Sequence, residues 1–385
     1  MKVLHLSNVI GHQKGGGIHE VVFNLYKYQG NYCVEPHIWY LGNVEDASSM
    51  GLTKNIECLD TYGNSKHGVL KDLFKLSSDE AIGFDILHQH GLWTPVSMYS
   101  YKLKKQINLK KVVQPHGFLM PYSRNLSKRK KQIAFSLFER SNLKSADMLV
   151  ACAKDEALVL RELFPDKDIS IIPNGIPDEF YNTKRRNIDA YRKRRLLFLS
   201  QIIPVKGLER VIRSISEIGL DKFRDWEFII AGYEDADYKS VLEKMIHELN
   251  LGAVIKFIGP KFGADKIETF DNADVFVLPS YSENFAIVVA EALSRGLPVL
   301  TTTGAPWKEL ESNNCGFWVD NTDLGIKEGI LQILRTSEEE LKNMGSSGKK
   351  LILENYLWSR SSLKTVEMYK WMINGGQRPS FINNF

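Results

Sequence analysis

Long apolar runs are missing from this chain. Nowhere does it hold about 18 uninterrupted apolar residues, the length a membrane-spanning helix needs. Its opening residues, MKVLHLSNVIG, carry one lysine and a brief apolar stretch that His5 and Asn8 interrupt, which is not the pattern of a secretory signal. Cysteine is scarce. Cys33, Cys58, Cys152 and Cys315 lie far apart with no Cys-x-x-Cys pair, so neither a disulfide framework nor a cysteine zinc site is indicated. Also lacking are a Gly-x-Gly-x-x-Gly fingerprint and an acid closing a second strand in that pattern, which argues against an NAD-dependent dehydrogenase. Together these absences lead to the expectation of a cytoplasmic protein. One stretch lacks charge of one sign. From Lys102 to Lys144 there are twelve Lys or Arg residues and a single acid, Glu139. Such a stretch is either a set of solvated helix faces or a surface that meets something anionic, such as phospholipid.

What is present is an ordinary globular composition. The chain has 385 residues, 43% hydrophobic and 25% charged, with a net charge of +4. That length exceeds one usual core and fits two domains. Residues 2–6 read as a buried strand, followed by a glycine-rich loop (Gly11, Gly15, Gly16, Gly17) and a helix from about Ile18 to Tyr28. Strand, glycine loop and helix in that order open a doubly wound α/β domain. Further strands are expected at His37–Leu41, Asp85–His88, Val112–Gln114 and Met148–Cys152, with a helix over Lys128–Leu143. The segment IIPNGIPDEFYNTKRRN reads as a linker. Alternation then restarts, with strands at Leu196–Ser200, Glu227–Ala231, Val254–Ile258, Asp274–Leu278 and Val299–Thr301 and helices between them. Regular alternation implies parallel strands with crossover helices. The expected domains are residues 1–180 and 190–355, with a final helix at 356–373 returning to the first.

Ligands of such sheets bind beyond the carboxyl ends of strands. The segment PSYSENFAIVVAEALSRGLPVLTT, Pro279 to Thr302, places Glu283 just after a strand, at an expected helix start, and Glu291 eight residues on, on nearly the same face. Free N–H groups at a helix start suit a diphosphate, and two carboxylates can grip hydroxyls on either side of it. In FLSQIIPVKGLERVI, Lys206 again follows a strand, where it could stabilise a departing phosphate. In VVQPHGFLMPYS, His116 follows a strand and could bond a hydroxyl. His88 and His90 in DILHQHGLW share one face of a continued strand. With no third ligand nearby in sequence, acceptor contact or packing is the reading for them rather than a metal.

These segments resemble glycosyltransferase family 4, whose members have the GT-B architecture of two Rossmann-like domains facing across a cleft. Pro279, Ser280, Glu283, Phe285, Glu291, Ala292, Gly296, Pro298 and Val299 stand in register with the family's E-x(7)-E segment, with Ala286 where glycine is usual. Lys206 and Gly207 match a phosphate segment in which Gln201 replaces an expected arginine. Pro115, His116, Gly117, Leu119 and Pro121 match a stretch of the polysaccharide branch, with Tyr122 for its tryptophan. The resemblance implies a retaining hexosyltransferase using a UDP- or GDP-sugar, without an essential metal or other cofactor. It implies donor contacts from Gly16, Gly17, Gln201, Lys206, Glu283, Asn284, Phe285, Ala286 and Glu291, with Glu283, Lys206 and His116 closest to the chemistry. Lys261 and Phe262 are expected near the nucleobase, and His88, His90 and His116 near the acceptor. A lipid-linked saccharide in surface polysaccharide, O-antigen or lipopolysaccharide synthesis is the expected acceptor, with Lys102–Lys144 on an anionic membrane and no nucleic-acid partner. A nucleotide-sugar epimerase, or a binding protein with weakened chemistry, would share the same scaffold.

Overall fold

The structure is a computed structural model. It describes residues 1–8, 16–41, 54–59, 61–62, 69–70, 83–178, 180, 192–233 and 235–385. The glycine loop at 11–15 and residues 181–191 of the expected linker lie outside the described residues. The chain divides into two units, Met1–Gly175 with Trp358–Phe385, and Ile176–Leu357.

The first unit is built on seven parallel strands in the order β3-β2-β1-β6-β7-β8-β9. They are β1 Lys2–Ser7, β2 Glu35–Leu41, β3 Ile56–Leu59, β6 Ile86–His90, β7 Lys110–Gln114, β8 Met148–Ala151 and β9 Ile169–Ile171. A short antiparallel pair, β4 Thr61–Tyr62 and β5 Val69–Leu70, lies apart. Among the described residues up to Gly175 the helices are α1 Gly16–Gln29, α2 Pro95–Gln106, α3 Pro121–Asn125, α4 Lys128–Ala134, α5 Arg140–Lys144 and α6 Lys154–Leu163. The expected helix over Lys128–Leu143 is broken by a π-turn at Phe135–Glu139. Period-two alternation sorts the sheet's two faces. Leu4, Leu6 and Leu87 pack with Val96, Tyr99 and Leu103 of α2. Val3 and Ile86 pack on the other side with Val366, Met368 and Tyr369. That second face is also the side of His5, His88 and His90.

The second unit has six parallel strands in the order β12-β11-β10-β13-β14-β15. They are β10 Arg194–Leu199, β11 Trp226–Ala231, β12 Ile255–Phe257, β13 Val275–Leu278, β14 Val299–Thr302 and β15 Gly316–Val319. The helices are α7 Leu208–Ile218, α8 Ala236–Glu248, α9 Gly263–Asp271, α10 Ile287–Ser294, α11 Glu309–Ser312, α12 Asp323–Arg335 and α13 Glu338–Asn355. Helix α7 shows why they pack: Leu208, Val211, Ile212 and Ile215 recur at helical spacing and all are fully buried. Burying each such side chain stabilises the fold by roughly 2 kcal/mol. The last helix, α14 Trp358–Asn374, belongs to the first unit, where it packs on α1. Both sheets have the Rossmann-like reversal of strand order, at β1/β6 in one and β10/β13 in the other, where ligands of open parallel sheets bind.

Candidate active site

The reversal point of the second sheet gathers the charged residues. β10 ends at Leu199, and the chain reaches Lys206 through a short 3-10 turn at Pro204–Lys206. Gly207 follows at φ 66°, and a Cβ there would sit 2.4 Å from the Pro279 carbonyl oxygen. Only glycine fits, so the Lys-Gly pair has a local steric cause. β13 ends at Leu278, and the loop after it holds Glu283. Lys206 Nζ donates to Glu283 Oε1 at 2.5 Å, and Ser280 Oγ donates to the same oxygen at 2.6 Å. Both charged side chains are largely buried, at 14% and 11% exposure. The Glu283 N–H donates to the Gly304 carbonyl at 2.7 Å, fixing the loop.

One expectation needs correction. Glu283 is not in the first turn of a helix, because α10 begins only at Ile287. The residue before it, Ala286, sits at φ 60° and ψ 68°, the left-handed region. This kink separates the loop from the helix and explains why glycine is the usual residue at this position. It also turns backbone outward. Among the described residues the N–H groups of Phe285, Ala286 and Ile287 find no acceptor, the arrangement that receives an anion. Glu291 lies inside α10 with its own partner, Lys266 of α9, at 2.5 Å. The two glutamates are thus held separately, each by a lysine.

The remaining expected donor residues divide. Asn284 Oδ1 is buried without a hydrogen bond, a vacancy that a ligand donor would satisfy. The Phe285 side chain turns inward instead. It packs against Trp307 and Tyr356 at centroid distances of 5.3 and 5.7 Å, and Trp307 Nε1 donates to the Phe285 backbone carbonyl. With the ring buried, only the backbone N–H of this expected donor residue is left without a partner among the described residues. Gln201 is exposed. Arg210, the nearby arginine on α7, does not replace the missing cation: it is buried, bonded to the Pro279 carbonyl and to Asn321 Oδ1, and stacked on Tyr281 at 3.9 Å. The cations of this region are Lys206 and Lys266, and sequence reading missed Lys266 because nothing in α9 pairs it with Glu291 until the helices pack. Phe262, just before α9, lies 5.1 Å from Tyr233, and both rings are exposed past the ends of β12 and β11. Lys261 borders a groove of about 460 Å³ whose other walls include Arg195, Glu227 and Lys256. That groove runs toward the amino ends of β10–β12 and holds none of Lys206, Glu283 or Glu291, so it is not the donor site.

In the first unit, Gly16 and Gly17 open α1. His116 follows β7 at φ 55° with Gly117 at φ 78°. The turn is held by Glu156, whose carboxylate accepts from the Gly117 N–H at 2.6 Å and the Cys152 N–H at 2.9 Å. His88 and His90 are corrected most. Both are buried beneath the surface rather than presented to an acceptor. A third histidine joins them, His5 of β1, directly opposite His88 in the β1/β6 register. One ring nitrogen of each lies within 4.8 Å of the others. His90 in turn meets His116 at 3.1 Å. Burial holds all four imidazoles far below their ordinary value, His5 at about 4 and His116 at about 3, so they are neutral. The sequence signal existed: His5, His88 and His90 interrupt otherwise apolar buried strands.

The basic stretch is also redistributed. Lys111 is buried against Asn142 and Ser145 with its pKa lowered to about 7 by burial, and Lys104 pairs with Asp147. The lone acid Glu139 is buried too, accepting from the Trp93 N–H and Asn142. What remains outward is α3 to the π-turn, with Arg124, Lys128, Arg129 and Lys130 exposed beside Leu126, Ile133 and Leu137, at 55, 61 and 76% exposure.

Two Rossmann-like units with these strand-end residues define the GT-B class of fold. Comparison with known proteins agrees. The family model described as Glycosyltransferase Family 4 matches residues 15–180, and that of Glycosyl transferases group 1 matches residues 181–351. The chain belongs to glycosyltransferase family 4. An uncharacterized glycosyltransferase of Methanocaldococcus jannaschii is 30% identical over 221 residues, 54% of this chain and 55% of that protein. The chain spans about half the length of the first curated relatives it matches. Among solved structures, HepE of Anabaena in complex with UDP superposes with a TM-score of 0.73 at 16% identity, covering 96% of this chain and 99% of that one. WaaG, a glycosyltransferase involved in lipopolysaccharide biosynthesis, does so with a TM-score of 0.69 at 16% identity, covering 97% and 100%.

Proposed function

We propose that the protein transfers a hexosyl residue from a UDP- or GDP-sugar to a saccharide acceptor with retention of anomeric configuration. The observation that carries this reading is the Lys206–Glu283–Ser280 network at the reversal point of the second sheet, beside the open N–H groups before α10. Lys206 and those N–H groups receive the diphosphate, Glu283 and Asn284 the sugar, and Glu291 the ribose. The exposed rings of Tyr233 and Phe262 offer a stacking surface for the base. Front-face displacement follows from this set, since Glu283 is engaged by two donors and is a poor nucleophile. The bond from the anomeric carbon to phosphate breaks, the acceptor oxygen bonds on the same face, and a phosphate oxygen takes the acceptor's proton. Lys206 stabilises the charge that develops. No residue here requires a metal for that step. Purified protein incubated with UDP- and GDP-sugars should release nucleotide. No release or thermal shift with any of them would end this reading, and conversion of donor alone to an epimer would favour an epimerase. A β-linked product from an α-linked donor would exclude retention.

The acceptor in this reading is a lipid-linked saccharide of surface polysaccharide or lipopolysaccharide synthesis, reached from the cytoplasmic face of a membrane. Support comes from the basic residues of α3 and α4 interleaved with Leu126, Ile133 and Leu137, an amphipathic surface suited to anionic headgroups. No helix among the described residues is long and apolar enough to cross a membrane. Vesicles containing anionic lipid should bind the protein at low salt and release it at high salt. Leu137→Asp should weaken binding several-fold, and equal binding to neutral vesicles would refute the electrostatic part.

A further inference from the structure

Three of the clustered histidines, His5, His90 and His116, form a directed chain with Gln29 at its buried end, while the fourth, His88, meets Tyr369 Oη through its Nδ1 at 2.6 Å. Gln29 Oε1 lies 3.0 Å from His5 Nε2. His5 Nδ1 lies 3.0 Å from His90 Nε2, and His90 Nδ1 lies 3.1 Å from His116 Nε2. The Gln29 amide nitrogen turns the other way, toward Tyr369 Oη at 3.5 Å. Among the described residues no acid is hydrogen-bonded to any of the four rings.

A neutral imidazole has one proton, so it donates from one nitrogen and accepts at the other. Gln29 Oε1 can only accept, so the His5 proton is on Nε2. His5 Nδ1 is then bare and must receive the proton of His90 Nε2. His90 Nδ1 is bare in turn and receives that of His116 Nε2. The last nitrogen, His116 Nδ1, is left without a proton and makes no hydrogen bond to the described residues. Unlike the other three rings, which are fully buried, His116 is only partly buried. Reversing the chain would require the Gln29 amide to flip, with its NH2 toward His5 Nε2, and would give up the contact of that NH2 with Tyr369 Oη.

We infer that Gln29, His5 and His90 are positioning residues that hold His116 as its Nε2–H tautomer and so keep Nδ1 ready to accept a hydrogen bond from a saccharide hydroxyl. The inference rests on the proposed transferase function and on the sequence-based expectation that His116 bonds a saccharide hydroxyl. Glu156 does the complementary work, fixing the backbone turn that aims the ring. A metal held by His5, His88 and His90 accounts for the same cluster less well. The closest nitrogen pair, His5 Nδ1 and His90 Nε2 at 3.0 Å, is spent on a shared proton, and His88 Nδ1 is taken by Tyr369 Oη at 2.6 Å.

The test is a long-range proton–nitrogen correlation spectrum of the imidazoles in the ¹⁵N-labelled full chain near pH 7.5. His5, His90 and His116 should each show a protonated Nε2 and a bare Nδ1. A proton on His116 Nδ1, or an averaged pair, overturns the proposal. Gln29→Met, which fills the space without an acceptor, should average the His116 tautomers and raise the acceptor KM several-fold with donor hydrolysis within twofold. An unchanged tautomer in that variant overturns it. If Gln29→Met does not fold, the spectrum of the unsubstituted protein still decides. Cobalt(II) should produce no ligand-field absorption, and a band lost in His5→Phe would overturn the chain in favour of a metal. Measurement of the tautomer needs no substrate, so failure of the parent reading is distinguishable. With the predicted tautomer present but His116→Asn transferring at the unsubstituted rate, the saccharide role falls while the proton order stands.

Discussion

At the reversal point of the first sheet the polar groups are neutral: His5, His90 and His116 joined ring to ring from Gln29, and His88 on Tyr369. At the same point of the second sheet they are charged, with Lys206 on Glu283 and Lys266 on Glu291. The difference follows from burial. His5, His88 and His90 lie within the sheet face, bonded to Gln29 of α1, to Tyr369 of α14 and to one another, where a charge would cost several kcal/mol, so they stay neutral. The lysine–glutamate pairs sit past the strand ends with partial access to water, where charge survives. A neutral network can fix proton positions; a charged pair can be opened by a ligand that brings its own charge. The second arrangement suits a diphosphate and the first a sugar hydroxyl.

The largest effect expected from breaking this division is in the charged half. Glu283→Gln keeps the shape and removes the charge, and transfer should fall by about a hundredfold or more. Lys206→Met should lose a similar factor. Because each partner holds the other, the double variant should fall far short of the product of the two losses. Rates measured for the four proteins at saturating donor check this. Fully multiplicative losses would mean that the pair seen here does not act as a unit, and transfer near the unsubstituted rate in Glu283→Gln would move the site elsewhere.

Acid should attack the neutral half next. His5 and His116 have folded values of about 4 and about 3 against an ordinary 6.5, so the unfolded chain binds their protons first. Their contribution is fully present above pH 6.5. It falls as pH drops below 6.5, by about 1.4 kcal/mol per pH unit for each histidine, down to about pH 4 for His5. Hydrogen exchange at pH 5 against pH 7.5 should show β1 and β6 losing protection before β10 and β13. Equal loss in the two sheets would show that the histidine cluster is not what limits the first unit.

Much of the architecture was legible before any coordinates. The alternation from Leu196 onward specified parallel strands because each crossover needs a helix, and strand-end placement marked Lys206 and Glu283. Legibility failed where partners come from distant elements. Lys266 meets Glu291 only after α9 packs beside α10. His5, Gln29, His90, His116 and Tyr369 are drawn from five separate segments, so no spacing could join them. The first-unit strands β3 and β9 and the last strand β15 were also missed, being short runs whose pattern is weak without neighbours. Composition gave the number of positive charges in Lys102–Lys144 but not their direction, and Lys111 points inward.

The smallest predicted effect concerns a feature the two sites share. Each holds a non-glycine residue at positive φ in the loop that follows a strand, His116 at 55° after β7 and Ala286 at 60° before α10. Such a conformation costs an L-residue about 1–2 kcal/mol. At His116 the side chain is needed, so glycine would relieve the strain and delete the ring. At Ala286 only the backbone is used, to swing the N–H groups before α10 outward. Ala286→Gly should therefore stabilise the protein. Glycine loses about 0.4–1 kcal/mol more on folding through its freer unfolded chain, which offsets part of the gain. The net is about 0.5 kcal/mol, roughly 1–2 °C in the melting temperature of a chain this long. Transfer should stay within twofold, since the N–H groups keep their places. Denaturant melts of the two proteins decide the point: a less stable glycine variant would show that the alanine methyl packs usefully, and that the left-handed turn in the charged site is sustained by contacts rather than borne as strain.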